Sequence, residues 1–129
     1  MLQITDFREA QSVADGQALI HLLKKRYGND EVNKFDLNEV GKAYPWLSIH
    51  VRSNLAVLHY FESEGGDFCI SSSGGNAVAN EDTEFFESEG AEAVSLPQSA
   101  IVSSDEAIKA ALEFLGGCKR PECIEWLDL

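Results

Sequence analysis

Basic residues are missing from a long middle stretch of this chain. No Lys or Arg occurs from position 53 to 108, yet the segment holds 11 of the 22 acids; it carries −11, while the remainder, with 11 acids and all 10 bases, carries −1. Gripping phosphates requires Lys and Arg where the contacts fall, so the distribution argues against nucleic-acid binding and, for the same reason, against an anionic membrane surface. A one-signed segment suits a basic protein partner, whose encounter it would steer. The plainer reading is a surface kept acidic for solubility.

Cysteine is scarce: Cys69, Cys118 and Cys123 are three, an odd number that points to reduced thiols rather than a disulfide framework. Cys118 and Cys123 lie five apart with no second Cys or His pair near them, poor spacing for zinc, and read as small packing residues. No apolar run approaches the roughly 18 residues of a membrane span. The start, "MLQITDFREA", has an acid and a base where a signal peptide is apolar. The expectation is a cytoplasmic protein with its start intact.

Catalytic signatures are also missing. There is no HExxH, CxxC, GxSxG or Gly-rich phosphate loop, and "SSSGG" has no following Lys or helix to hold a phosphate. "ESEGGD" lacks the length and ligand order of a calcium loop, and "NEDTEFFESEG" has two aromatics in its middle. His21, His50 and His59 sit among apolar neighbours and read as structural; an enzyme built on His50 or His59 would need a deep cleft with the ring on its wall. The expectation is no enzyme, no cofactor and no metal.

What is present fits one domain spanning 1–129, with 44% hydrophobic and 25% charged residues. "LQITDF" suits a first strand. "SVADGQALIHLLKKRYG" has helical spacing at Ala18, Leu19, Leu22 and Leu23, a capping-box-like start at Ser12 and Asp15, cations at Lys24 to Arg26 and a stop at Gly28. "NKFDLNEV" alternates, with Phe35, Leu37 and Val40 inward, and "WLSIHV" follows Pro45. "LAVLHYFESEGGDFCISS" reads as a hairpin, "SSSGGNAVANED" as a loop, and "TEFFES" as a strand leading towards "AEAVSL". "VSSDEAIKAALEFLGG" is a second helix, capped by Ser103 and Glu106, striped by Ile108, Ala111, Leu112 and Leu115, and ended by Gly116 and Gly117. After Pro121, Ile124 and Trp126 alternate like a short strand. This order is α+β: an antiparallel sheet of about five to six strands with two main helices.

One pentapeptide, FESEG, occurs at 61–65 and again at 86–90, each time after an aromatic residue and before a turn. Five residues without a shared apolar pattern are not a structural repeat. The copies read as one surface device used twice.

The tail "SSDEAIKAALEFLGGCKRPECIEWLDL" resembles the close of the first-numbered immunity-protein family of bacterial polymorphic toxin systems, whose members include partners of cytosine-deaminase toxins. The resemblance extends upstream through "LAVLHYFESEGGDFCISSSGG", and covers about the last 75 residues well and the first 50 in general pattern. It implies a non-enzymatic protein that binds one cognate toxin domain and blocks its active site. Phe114, Arg120, Pro121, Glu122 and Trp126 match the family's ending. They read as mainly structural, with Trp126 and Ile124 burying apolar area and Arg120 holding a carboxylate. A toxin acting on nucleic acid, whether deaminase or nuclease, must present a basic cleft. The candidate carboxylates for filling it are Glu62, Glu64, Asp67, Glu81, Asp82, Glu84, Glu87 and Glu89, with Phe85 or Tyr60 as anchors if exposed; the core is the expected place for Tyr60. The competing reading is a small acidic domain binding a ligand or metal without catalysis.

Overall fold

Alternation in "VNKFDLNE" and an apolar run in "WLSIHVR" become the centre of an antiparallel sheet in the computed structural model, which describes residues 1–75 and 77–129. Asn76, within the stretch expected to be a loop, lies outside the described residues. In chain order the elements are β1 (Leu2–Thr5), β2 (Ala10–Val13), α1 (Gly16–Leu23), β3 (Val32–Glu39), β4 (Trp46–Arg52), β5 (Leu55–Phe61), β6 (Phe68–Ser72), β7 (Thr83–Phe86), β8 (Ala93–Leu96), β9 (Val102–Ser103), α2 (Ser104–Gly117) and β10 (Glu125–Asp128). The main sheet runs β10-β6-β5-β4-β3-β1-β2, with β9 also paired to β5, and β7-β8 form a separate two-stranded sheet. The class is the expected α+β, with eight strands in the main sheet and two more in the second among the described residues, in place of five to six.

The first helix is shorter than its periodicity suggests. Ser12 and Val13 belong to β2, paired with Gln3 and Leu2 of β1, and the helix is capped by Asp15, whose Oδ1 accepts from the Ala18 N–H at 2.9 Å. Arg26, beyond the helix, donates from Nη1 to the carbonyls of Leu23 (2.8 Å) and Lys25 (3.0 Å), satisfying groups the helix end leaves free. Val40 falls past the end of β3 and is exposed.

In α2 the Ser103 hydroxyl caps the Glu106 N–H at 3.1 Å. The fully buried stripe is Ala107, Ala110, Ala111 and Phe114, with Ile108, Leu112 and Leu115 flanking it half-buried. Small alanines let the helix lie close to the sheet, which turns the stripe away from the bulkier residues. The helix continues through both glycines and ends at Cys118, a left-handed residue (φ 51°) whose N–H donates to the Phe114 carbonyl at 2.7 Å. Cys123 is exposed rather than packed.

Register sorts the sheet into two faces. The inner face presents Leu37, Leu47, Tyr60 and Cys69, then Phe35, Ile49 and Leu58, and is covered by both helices in the larger core. The outer face has rows in the opposite parity: Asn38-Trp46-Phe61-Phe68, Asp36-Ser48-His59-Ile70, then Lys34-His50-Val57 and Val32-Arg52-Leu55. Over the last two rows and Ile70 of the second row lie β7-β8 and the 97–101 segment, which close a second core of Val57, Ile70, Phe85, Ala100 and Ile101. The first row lies outside both cores.

Candidate functional site

The uncovered end of the outer face is an aromatic row. Trp46, Phe61 and Phe68 sit directly opposite one another on β4, β5 and β6, so adjacent-strand spacing stacks their rings. Centroids are 4.4 Å apart for Trp46–Phe61 and 5.1 Å for Phe61–Phe68. His59 stacks on Phe61 at 6.3 Å, and Tyr44 meets Trp46 edge-on at 6.5 Å. Phe68 is 37% exposed, and Trp46, Phe61 and His59 are half-buried. Burial, reinforced by the neighbouring His50, lowers the His59 pKa to about 4, so near neutrality the ring is uncharged and extends the apolar surface.

Two acidic groups border this row. The turn between β5 and β6 carries Glu62, Glu64 and Asp67, all exposed and without an ion pair among the described residues. Glu62, Asp67 and Phe68 also line a cleft of about 690 Å³ whose other wall includes Lys119, Arg120 and Glu122. On the far side stands Glu87, which takes Lys34 Nζ at 2.9 Å and His50 Nε2 at 2.9 Å. Burial works against the Glu87 carboxylate, but those two hydrogen bonds outweigh it and hold its pKa below the usual range. Lys34 in turn lies 3.5 Å from Asp36, and Asp36 accepts the Trp46 indole N–H at 3.0 Å, so the aromatic row is linked through Lys34 to Glu87 just past β7. His50 is buried; burial pushes its pKa down despite Glu87, and its Nδ1 has no hydrogen-bond partner among the described residues.

The other expected carboxylates scatter. Glu89 forms a two-pronged pair with Arg8 (3.0 and 2.6 Å), which also stacks over Tyr27. Glu84 is exposed on β7, where Arg52 donates to its backbone carbonyl at 3.1 Å. Glu81 and Asp82 are exposed in the loop before β7, and Asp82 accepts the Gln98 N–H at 2.8 Å. Phe85 is fully buried in the second core and Tyr60 is 4% exposed in the first, so neither anchor named from the sequence is available for contact. Strand parity explains it: within "LHYFE", Tyr60 faces in and Phe61 faces out. Both parities of β5 are apolar, which hid the outward row.

In the tail, Phe114 is fully buried against Tyr60, and Pro121 is buried with its carbonyl accepting the Trp126 indole N–H at 2.7 Å. Glu113 of α2 accepts the N–H groups of Glu122 (2.8 Å) and Cys123 (3.1 Å), fixing the turn into β10. Arg120 is exposed, 3.8 Å from Asp128.

No three of His, Cys, Asp and Glu gather to hold a metal among the described residues, and no described helix is long and apolar enough to cross a membrane. What the geometry presents is a partly exposed aromatic row with carboxylates in the adjoining turn. Residues 5–128 match the family described as Immunity protein Imm1, and the chain belongs to that family of immunity proteins. It is 28% identical over 124 residues to the double-stranded DNA deaminase immunity protein of Burkholderia cenocepacia (strain H111), covering 96% of this chain and 97% of that protein.

Proposed function

We infer that this protein neutralises a cognate toxin domain that acts on nucleic acid, with a deaminase as the first candidate, by laying the open end of its sheet over the basic mouth of the toxin's active site. It does so in the cytoplasm as a heterodimer partner, without catalysis of its own. The observation that carries this reading is the meeting of an uncovered aromatic row with the unpaired carboxylates Glu62, Glu64 and Asp67. Aromatic side chains supply the desolvated anchors that set dissociation, and rim carboxylates steer approach to a basic surface. The relative named for immunity to a DNA deaminase supports the choice of toxin class. Glu81, Asp82 and Glu84 extend the acidic surface along β7, while Glu87 and Glu89 contribute by holding β7 in place.

The test is a triple charge reversal, Glu62, Glu64 and Asp67 each to Lys, expressed with the cognate toxin domain. The expected result is a protein with unchanged circular dichroism and melting that no longer protects. Full protection by that folded variant would remove charge complementarity from the account.

A further inference from the structure

Trp46, Phe61 and Phe68 stack with interplanar angles of 19° and 24°, so three near-parallel rings stand side by side on neighbouring strands. Side chains project roughly perpendicular to a sheet, so such a row turns ring edges, not faces, towards whatever lies above it. Carboxylates lie near the row: Asp36 accepts the Trp46 N–H at 3.0 Å, and Glu62, Glu64 and Asp67 are exposed in the turn that joins the strands of Phe61 and Phe68. Stacked flat rings with their edges outward and negative groups nearby are also what a short single strand of nucleic acid displays. Grooves that take unstacked or single-stranded bases have the complementary walls: aromatic and apolar surfaces for the rings, with Lys and Arg along the backbone track.

We propose that the Trp46-Phe61-Phe68 row imitates a short stacked single strand and lodges in the toxin's base-binding groove, in direct competition with nucleic acid. This rests on the reading of the protein as inhibitor of a nucleic-acid-acting toxin and names the groove it fills. Its rival is an apolar contact beside the groove, which would leave the substrate path open.

The experiment uses the cognate toxin domain, inactivated at its catalytic residue, with a fluorescently labelled single-stranded DNA 12-mer at fixed ionic strength, because both ligands depend on salt. Mimicry requires that this protein strip the oligonucleotide from the toxin, and that the protein's apparent Kd rise at least tenfold as unlabelled oligonucleotide is raised to ten times its own Kd. Phe61→Leu, which keeps apolar bulk but removes the flat ring, should bind at least tenfold more weakly. A ternary complex, with the oligonucleotide retained at unchanged affinity on inhibitor-saturated toxin, overturns mimicry and leaves neutralisation standing. Undiminished binding and displacement by Phe61→Leu also overturns it, because ring stacking would then be irrelevant. No association of the wild-type protein with the toxin overturns the neutralisation reading itself, and this inference with it.

Discussion

At 61–65 the pentapeptide FESEG turns the open end of the sheet, and its two carboxylates meet no cation among the described residues; at 86–90 the same five residues leave β7, and both carboxylates are taken up by cations from distant parts of the chain. Lys34 and His50, cross-strand neighbours on β3 and β4, converge on Glu87, and Arg8 reaches Glu89. The aromatic residues keep one pattern instead: the residue before each copy, Tyr60 or Phe85, is locked in a core, and the first residue of each copy, Phe61 or Phe86, is half-buried. Identical local chemistry thus gives one open edge and one structural clasp. The segment without a single base borrows its cations from the near-neutral remainder, so an acid counted in the sequence is not an acid free for a partner.

The largest effect should come from the buried phenylalanine just before the second copy. Phe85→Ala should lower unfolding free energy by about 3–5 kcal/mol, seen as a shift of the denaturant midpoint. Phe61→Ala, on a half-exposed ring, should cost about 1 kcal/mol of stability yet weaken toxin binding by about 2 kcal/mol, roughly 30-fold, in a calorimetric titration.

A second contrast lies in pH. His50 and His59 have folded-state pKa values below the ordinary one, His59 at about 4, so the unfolded chain takes up protons first as pH falls. Stability from each is present above about pH 6.5 and is lost on acidification until the folded-state value is reached. For His59 the loss between pH 7 and 5 should be about 2 kcal/mol, and His59→Gln should remove that share of the slope. Glu87, lowered by Lys34 and His50 against the effect of burial, adds to acid sensitivity only as pH falls further through the carboxylate range.

The smallest effects should fall on the carboxylates taken singly. Glu87→Gln should reduce stability by about 1 kcal/mol, with little change in toxin association once folded. Glu64→Gln should leave melting unchanged and slow association by about twofold at low salt, a difference that vanishes in stopped-flow mixing at high salt.

Much of the fold was legible because the local signals agreed. The Ser103 cap, the alternation of β3 and the hairpin turn each have a short-range cause. β2 was hidden because Ser12 and Val13 also fit the start of a helix, and only pairing with β1 decides between the two. β8 and β9 are too short to carry a period of their own, whereas β10 was legible in the alternation after Pro121. The aromatic row was illegible for another reason: Trp46, Phe61 and Phe68 lie 15 and 7 positions apart in sequence, and only strand register brings them into contact. The acidic turn beside them was visible from the start, as were the residues of the tail that carry the family resemblance.

The most direct measurement compares the toxin affinity of two single variants on opposite sides of the molecule: Phe68→Ala in the open row, and His21→Ala on the exposed side of α1. Docking through the outer face requires at least a tenfold loss for Phe68→Ala and less than a twofold change for His21→Ala. An unchanged Phe68→Ala, or a larger loss at His21, would place the interface elsewhere and contradict the account.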